Sequence, residues 1–261
     1  MRSLQTGAPA LQSVSVSHQT PGLRPDVQPR RQPTLMRKYE IVALNQAGQI
    51  IDKQVIAPAT PMFEDTASAF ARGTLISTRR GPMAVEDLLP GDEVETGRGY
   101  EAVTWIGSTI FVPGTGDRAS GLSKLYRITA EAFGFNRPMC DILVGPAARM
   151  SLRRERLRSL IGRDTVLVPV HEYCDGDRIF EVNPPSSVQM YHIALERHGT
   201  IQAAGYEMES YHPGRNAGAD LGQNMRALFL SMFPNVEQLE DFGELTLTRT
   251  SRDVLDNLMV G

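Results

Sequence analysis

Phe70-Ala71-Arg72-Gly73-Thr74-Leu75-Ile76-Ser77-Thr78, followed by Gly81 and then Val85-Glu86-Asp87-Leu88-Leu89-Pro90-Gly91-Asp92-Glu93-Val94, is the most informative stretch of the chain. Physically it reads as a strand, a turn at Gly81, a short amphipathic segment, a tight turn at Pro-Gly-Asp and a second strand. On both sides of it the pattern repeats. From Ala69 to about Gly214, short β-prone runs such as Val103 to Ile106, Ile142 to Val144, Val166 to Val168, Ile179 to Val182, Val188 to Leu195 and Thr200 to Ala203 alternate with turn residues. Pro113-Gly114 and Asp175-Gly176-Asp177 are further punctuation. This spacing predicts a mainly β domain of many short strands. Two segments depart from it: Ser151 to Ile161 and Asp220 to Phe233 carry apolar residues three or four apart and are expected to be helical.

Upstream, Ile41 to Leu44 and Ile50 to Ile56 flank Asn45-Gln46-Ala47-Gly48, the pattern of a β-hairpin. Ala57-Pro58-Ala59-Thr60-Pro61 then neither continues a strand nor starts a helix comfortably, and reads as a linker. Residues 1–36 are rich in Pro, Gln, Ser and Arg with Asp26 as the only acid, and are expected to be a disordered tail. The expected division is tail 1–36, hairpin and linker 37–61, main β domain 62–215, and a C-terminal helical extension and tail over 216–261.

Composition narrows the function classes. The 261 residues are 41% hydrophobic and 22% charged, enough apolar side chain for a sizeable core. A net charge of −3, from 27 basic and 30 acidic residues, supplies no global field for nucleic acid or an anionic membrane. No run approaches the roughly 18 apolar residues of a membrane span, and no signal-peptide pattern opens the chain. A cytoplasmic location is expected, with secretion lacking a signal peptide left open. The 2 cysteines, Cys140 and Cys174, cannot build a disulfide framework, although a single bridge between them stays open. Each is read as a core or edge residue.

The stretch quoted first resembles the opening block of Hint domains, the fold shared by hedgehog C-terminal and intein autoprocessing domains. That block runs Cys-Phe, a small-residue pair, Gly-Thr, an apolar strand, then Val-Glu-Asp-Leu-x-Pro-Gly-Asp. Further along, Val103-Thr104-Trp105-Ile106-Gly107 looks like the next strand and Asp141-Ile142-Leu143-Val144-Gly145-Pro146 like the second block. Val166-Leu167-Val168-Pro169 with Gly176 is similar to the strand after it. Tyr191-His192-Ile193-Ala194-Leu195-Glu196-Arg197-His198 through Glu209-Ser210-Tyr211-His212-Pro213-Gly214 is similar to the closing hairpin of the bacterial subgroup. The similarity spans about residues 39–250 and implies the Hint fold.

Active members open with a thiol or hydroxyl that attacks the preceding carbonyl, converting the peptide bond to a thioester or ester. Here that position is Ala69, so the acyl shift at Ser68–Ala69 has no nucleophile. The second block normally offers Thr or Ser and, three residues on, a His that acts as general acid/base. Those positions are Gly145 and Ala148. The Asn and downstream nucleophile of active inteins have no counterpart in Leu258-Met259-Val260-Gly261. Ser68 is one residue off, and in a strand one residue reverses the face on which a side chain points.

Asp141, His192 and His198 match polar positions of the family and are either remnants of a site or structural hydrogen-bonders. His192 and His198, six apart, fit no helical metal-binding face, and His171-Glu172 lacks the second His of a zinc protease. No metal or cofactor is expected, and Trp105, the lone tryptophan, is read as core. The resemblance thus implies a degenerate Hint domain that does not process itself and keeps a binding or scaffolding role. The alternative is residual autoproteolysis at Ser68–Ala69, with a water activated by Asp141 or His192. The one local charge asymmetry is Arg149, Arg153, Arg154, Arg156 and Arg158, with Glu155 as the only acid. It is either a solvated face or a docking surface for an acidic protein partner, for example a processing-competent relative.

Overall fold

Alternating burial along the β-prone runs fixes which face of each strand turns inward. In the computed structural model, which describes residues 35–115, 120–219 and 221–260, Tyr39, Ile41 and Ala43 are buried while Lys38, Glu40 and Val42 are not. The first eight strands are β1 (Met36–Leu44), β2 (Ile50–Pro58), β3 (Phe70–Ala71), β4 (Leu75–Thr78), β5 (Gly81–Ala84), β6 (Glu93–Thr96), β7 (Gly99–Phe111) and β8 (Leu125–Ile128). They are followed by β9 (Ile142–Val144), β10 (Arg149–Arg153), β11 (Thr165–Pro169), β12 (Ile179–Val182), β13 (Val188–Leu195), β14 (Thr200–Ala203) and β15 (Tyr206–Glu209). Helices are few and short: α1 (Pro61–Glu64), α2 (Glu155–Ile161), α3 (Gln223–Leu230) and α4 (Arg252–Val260).

The strands join antiparallel in the order β11-β10-β15-β14-β4-β6-β7-β13-β3-β9-β8-β12, with β5 beside β4 and the β1–β2 hairpin attached through β1 to β7. The long strand β7 is the spine: its start pairs with β6, and its continuation carries β13 on one edge and β1 on the other. The hairpin is therefore an edge of the main sheet, and all described elements fall within the compact unit Thr34–Gly261. The central part of the core gathers Phe70, Ile76, Val94, Ile106, Val144, Ile193 and Ile201 from both ends of the sheet.

A second cluster packs the C-terminal segment on the hairpin side. Trp105 is buried there, its indole N–H donating to the Met232 carbonyl at 2.8 Å and its ring stacked on Phe233 at 4.7 Å. Gly107, two residues along β7, has to be glycine. A Cβ there would stand 2.2 Å from the Trp105 ring and 2.5 Å from the Thr66 carbonyl.

Several sequence expectations need correction. Ser151 to Arg153 is not helical: it belongs to β10, where pairing with β11 overrides the helical spacing, and α2 begins only at Glu155. Ala57-Pro58 continues β2 as an edge strand, and Pro61 opens α1 at its first turn, where a missing N–H costs nothing. The tail expected over 1–36 lies outside the described residues up to 34, and Met36 already belongs to β1. The second expected helix shortens to α3, and Asp220 lies outside the described residues. No helix among the described residues is long and apolar enough to cross a membrane.

Candidate functional site

The Ser68–Ala69 peptide group sits where α1 hands over to β3, held from two sides by backbone. The Ala69 N–H donates to the Tyr191 carbonyl at 3.0 Å. From the other side, the turn after β9 supplies the Ala147 N–H to the Ser68 carbonyl at 3.3 Å and the Gly145 N–H to the Ala69 carbonyl at 3.0 Å. Ladder pairs Phe70↔Tyr191 and Phe70↔Val144 lock both neighbours in place. Gly145 is thus brought against this bond, and Ala148 follows in the same turn, its N–H donating to the Gly145 carbonyl at 3.1 Å. The side chains at these positions are inert: Ala69 and Ala148 are each 1% exposed and belong to the same hydrophobic cluster.

Gly145 has a packing reason of its own. A Cβ at this position would fall 2.2 Å from the Ser68 carbonyl oxygen, so the close approach of the two segments requires glycine. Ser68 is not in a strand, since β3 starts at Phe70, and strand alternation therefore does not orient it. Its hydroxyl is buried without a hydrogen-bond partner.

The polar matches of the sequence separate. Asp141 is 48% exposed on its side chain, accepts from the Ala130 N–H at 2.8 Å and faces Arg127 at 3.7 Å, so it ties one surface loop rather than the buried bond. His192 is buried beside Phe70 and Tyr211. Its Nδ1 donates to the Asp65 carbonyl at 2.6 Å; a carbonyl only accepts, so Nε2 keeps its lone pair, and Nε2 is buried with no partner. Burial lowers its pKa to about 4, against the partial support of that hydrogen bond.

His198 belongs to a different cluster, centred on Glu209. Its Nδ1 accepts from the Thr246 N–H at 3.1 Å, which leaves Nε2–H to donate to Glu209 Oε1 at 2.8 Å. Arg249 Nε reaches the same oxygen at 2.7 Å and Arg149 Nη1 reaches Oε2 at 3.5 Å. Burial opposes ionisation of Glu209, but the His198 hydrogen bond and both guanidinium charges outweigh it and hold the carboxyl at about 2.

Between these two centres lies a cleft of about 410 Å³, lined among others by Asp65, Arg149, His192, Tyr211, Phe229 and Arg249. Burial raises the Asp65 carboxyl to about 6, with Arg149 and Arg249 pulling the other way. Sequence reading missed Asp65, Glu209 and Arg249 as site residues, and saw Arg149 only as part of a basic run. No local motif marks any of them.

The rest of that run is split by the fold. Arg149 and Arg153 lie on β10, Arg154 caps α2, and Arg156 and Arg158 lie on it; Arg158 and Arg153 reach Asp164 at 2.9 and 3.9 Å. Both cysteines are unbonded, Cys140 exposed rather than core and Cys174 half-buried with its thiol pushed up by burial. Among the described residues no group of three or more His, Cys, Asp or Glu is placed to hold a metal ion.

A family model described as Hint domain matches residues 68–215, starting at the residue before Ala69. The chain belongs to the Hint domain family. Among solved structures, the chain is similar to a crystal structure of a mutant Ssp DnaB mini-intein, with 12% identity and a TM-score of 0.30, covering 54% of this chain and 90% of that one. No curated protein matches the chain. The Hint match ends at residue 215, whereas Arg249, which holds Glu209, and Met232, which holds Trp105, come from the segment beyond it.

Proposed function

We propose that this Hint domain no longer processes itself and serves a binding or scaffolding role. One observation carries the reading. The bond matching the one that active relatives rearrange lies in a backbone cradle, yet the side chains at the nucleophile and helper positions are the methyls of Ala69 and Ala148, packed in the core, and the bare Cα of Gly145. A methyl has no lone pair with which to attack a carbonyl or move a proton. Intact-mass measurement of the full chain after expression and prolonged incubation tests this: a single species of full mass is expected. A fragment ending at Ser68 would overturn the reading.

A second reading, slow hydrolysis of the Ser68–Ala69 bond, draws support from His192, whose buried Nε2 keeps a free lone pair able to accept a proton from water. Asp141, exposed and engaged with Ala130, does not share that support. Under this reading any fragment seen in the parent disappears in His192→Asn, which retains a donor for the Asp65 carbonyl. Equal cleavage in that variant would remove His192 from the scheme.

A further inference from the structure

We infer that the cleft between His192 and Arg249 binds a small zwitterion, an α-amino acid with an apolar side chain. The inference rests on the binding role proposed above and names its ligand. The site is built from polar groups that lack partners. Asp65 makes no side-chain hydrogen bond or ion pair with any described residue, and the hydroxyl of Tyr211 makes none either. His192 Nε2 is buried and unpartnered. Buried polar atoms in folded proteins nearly always find a partner, so His192 Nε2 stands out; together with Asp65 and the Tyr211 hydroxyl, which are not fully buried, it gives one cleft three open polar groups, a place for a ligand's groups.

Their chemistry is directional. The Asp65 carboxylate and His192 Nε2 offer acceptors, and both residues line the cleft. Donors are supplied by Arg149, whose contacts are no shorter than 3.5 Å, and by Arg249, whose Nε and Nη2 are engaged while Nη1 has no hydrogen bond. Asp65 forms no ion pair with either guanidinium although all three line the cleft. Two cations against the carboxylates of Glu209 and Asp65 leave no net charge. A simple anion would meet Asp65 unpaired, and a simple cation would meet two guanidiniums. A molecule with an ammonium for Asp65 and His192 and a carboxylate for Arg149 and Arg249 satisfies both ends. Met62 and Phe229 form an apolar part of the wall, and about 410 Å³ is within the range of small-molecule sites.

The test is a thermal melt of the full chain with L-phenylalanine or L-leucine, each compared with its N-acetyl and its carboxamide derivative. At saturating concentration either amino acid should raise Tm by about 2 °C or more, and both derivatives, each lacking one charge, should shift it far less. Asp65→Asn is nearly isosteric and removes no existing side-chain contact, so it should melt cooperatively yet show no shift; Arg149→Met should also lose the response. The inference is overturned if neither amino acid shifts Tm, if the derivatives act equally well, or if Asp65→Asn responds as the parent does. Intact mass of the same sample keeps the two readings apart: a fragment ending at Ser68 would overturn the non-processing role, whereas an uncleaved chain without a shift overturns the ligand alone.

Discussion

The Ser68 carbonyl oxygen lies 2.2 Å from the point where a Cβ of residue 145 would stand, so glycine at 145 is what lets the turn after β9 close over the Ser68–Ala69 bond. The resemblance to the family's second block implies that Gly145 stands at a helper position. The packing makes it a requirement of this particular arrangement.

Gly145→Ala should therefore destabilise the domain although it adds only a methyl. The clash is with backbone, which cannot swing away as a long side chain would, and overpacking of this kind costs about 1–3 kcal/mol. A chemical denaturation series would measure it, and a variant as stable as the parent would contradict the account.

Glu209→Gln should cost more. The substitution removes the charge that Arg249 and Arg149 contact and leaves two partly buried guanidiniums with only Asp65, which pairs with neither, to balance them, a loss of roughly 3–5 kcal/mol. Tm should fall by about 10 °C, given roughly 2–4 °C per kcal/mol for a domain of this size. A fall of only a degree or two would mean that the cluster is dispensable.

Acid should weaken the fold in two stages. Burial lowers His192 and His212 to about 4, so the unfolded chain takes up their protons first; their stabilisation is present above about 6.5 and lost as pH falls toward 4. Glu209, held near 2, adds stability that is present above the ordinary carboxyl range and lost as pH falls through about 2. Each histidine contributes about 1–3 kcal/mol over its window; Asp65, raised to about 6, works the other way as pH falls from about 6 to about 4 and offsets about one of the two, leaving a net loss. Urea midpoints measured from pH 7 to pH 4 should decline, and the decline should be shallower in His192→Asn; an unchanged slope would remove His192 from the explanation.

Ending the chain after Arg215, where the family match ends, should not yield a stable domain. It removes Met232 and Phe233 from Trp105, Arg249 from Glu209, and the two backbone hydrogen bonds that Leu167 exchanges with Thr248 and Thr250. Since Trp105 is the sole tryptophan, its fluorescence reports the result directly: emission should move to the red and the cooperative melt should vanish. A truncated chain with a parent-like melt would show the segment to be an appendage.

The β class, the hairpin at the start and the Hint family were legible in the sequence. They depend on short-range signals: alternation of period two, turn residues at fixed offsets, and block motifs that need only a few neighbours. Where a local signal competed with pairing it misled, as at Ser151 to Arg153, whose helical spacing yields to the β10–β11 ladder. What the tertiary structure alone decided is the company each residue keeps. Glu209 and Arg249 are 40 positions apart, Asp65 and His192 are 127 apart, and no pattern in the chain joins them. Burial then sets their chemistry: once charged and polar groups leave water, their protonation and stability depend on the partners they find or fail to find. The sequence by itself thus determined the Hint family and its β class, while only the fold could form the cleft that His192 and Arg249 share and leave its polar groups open.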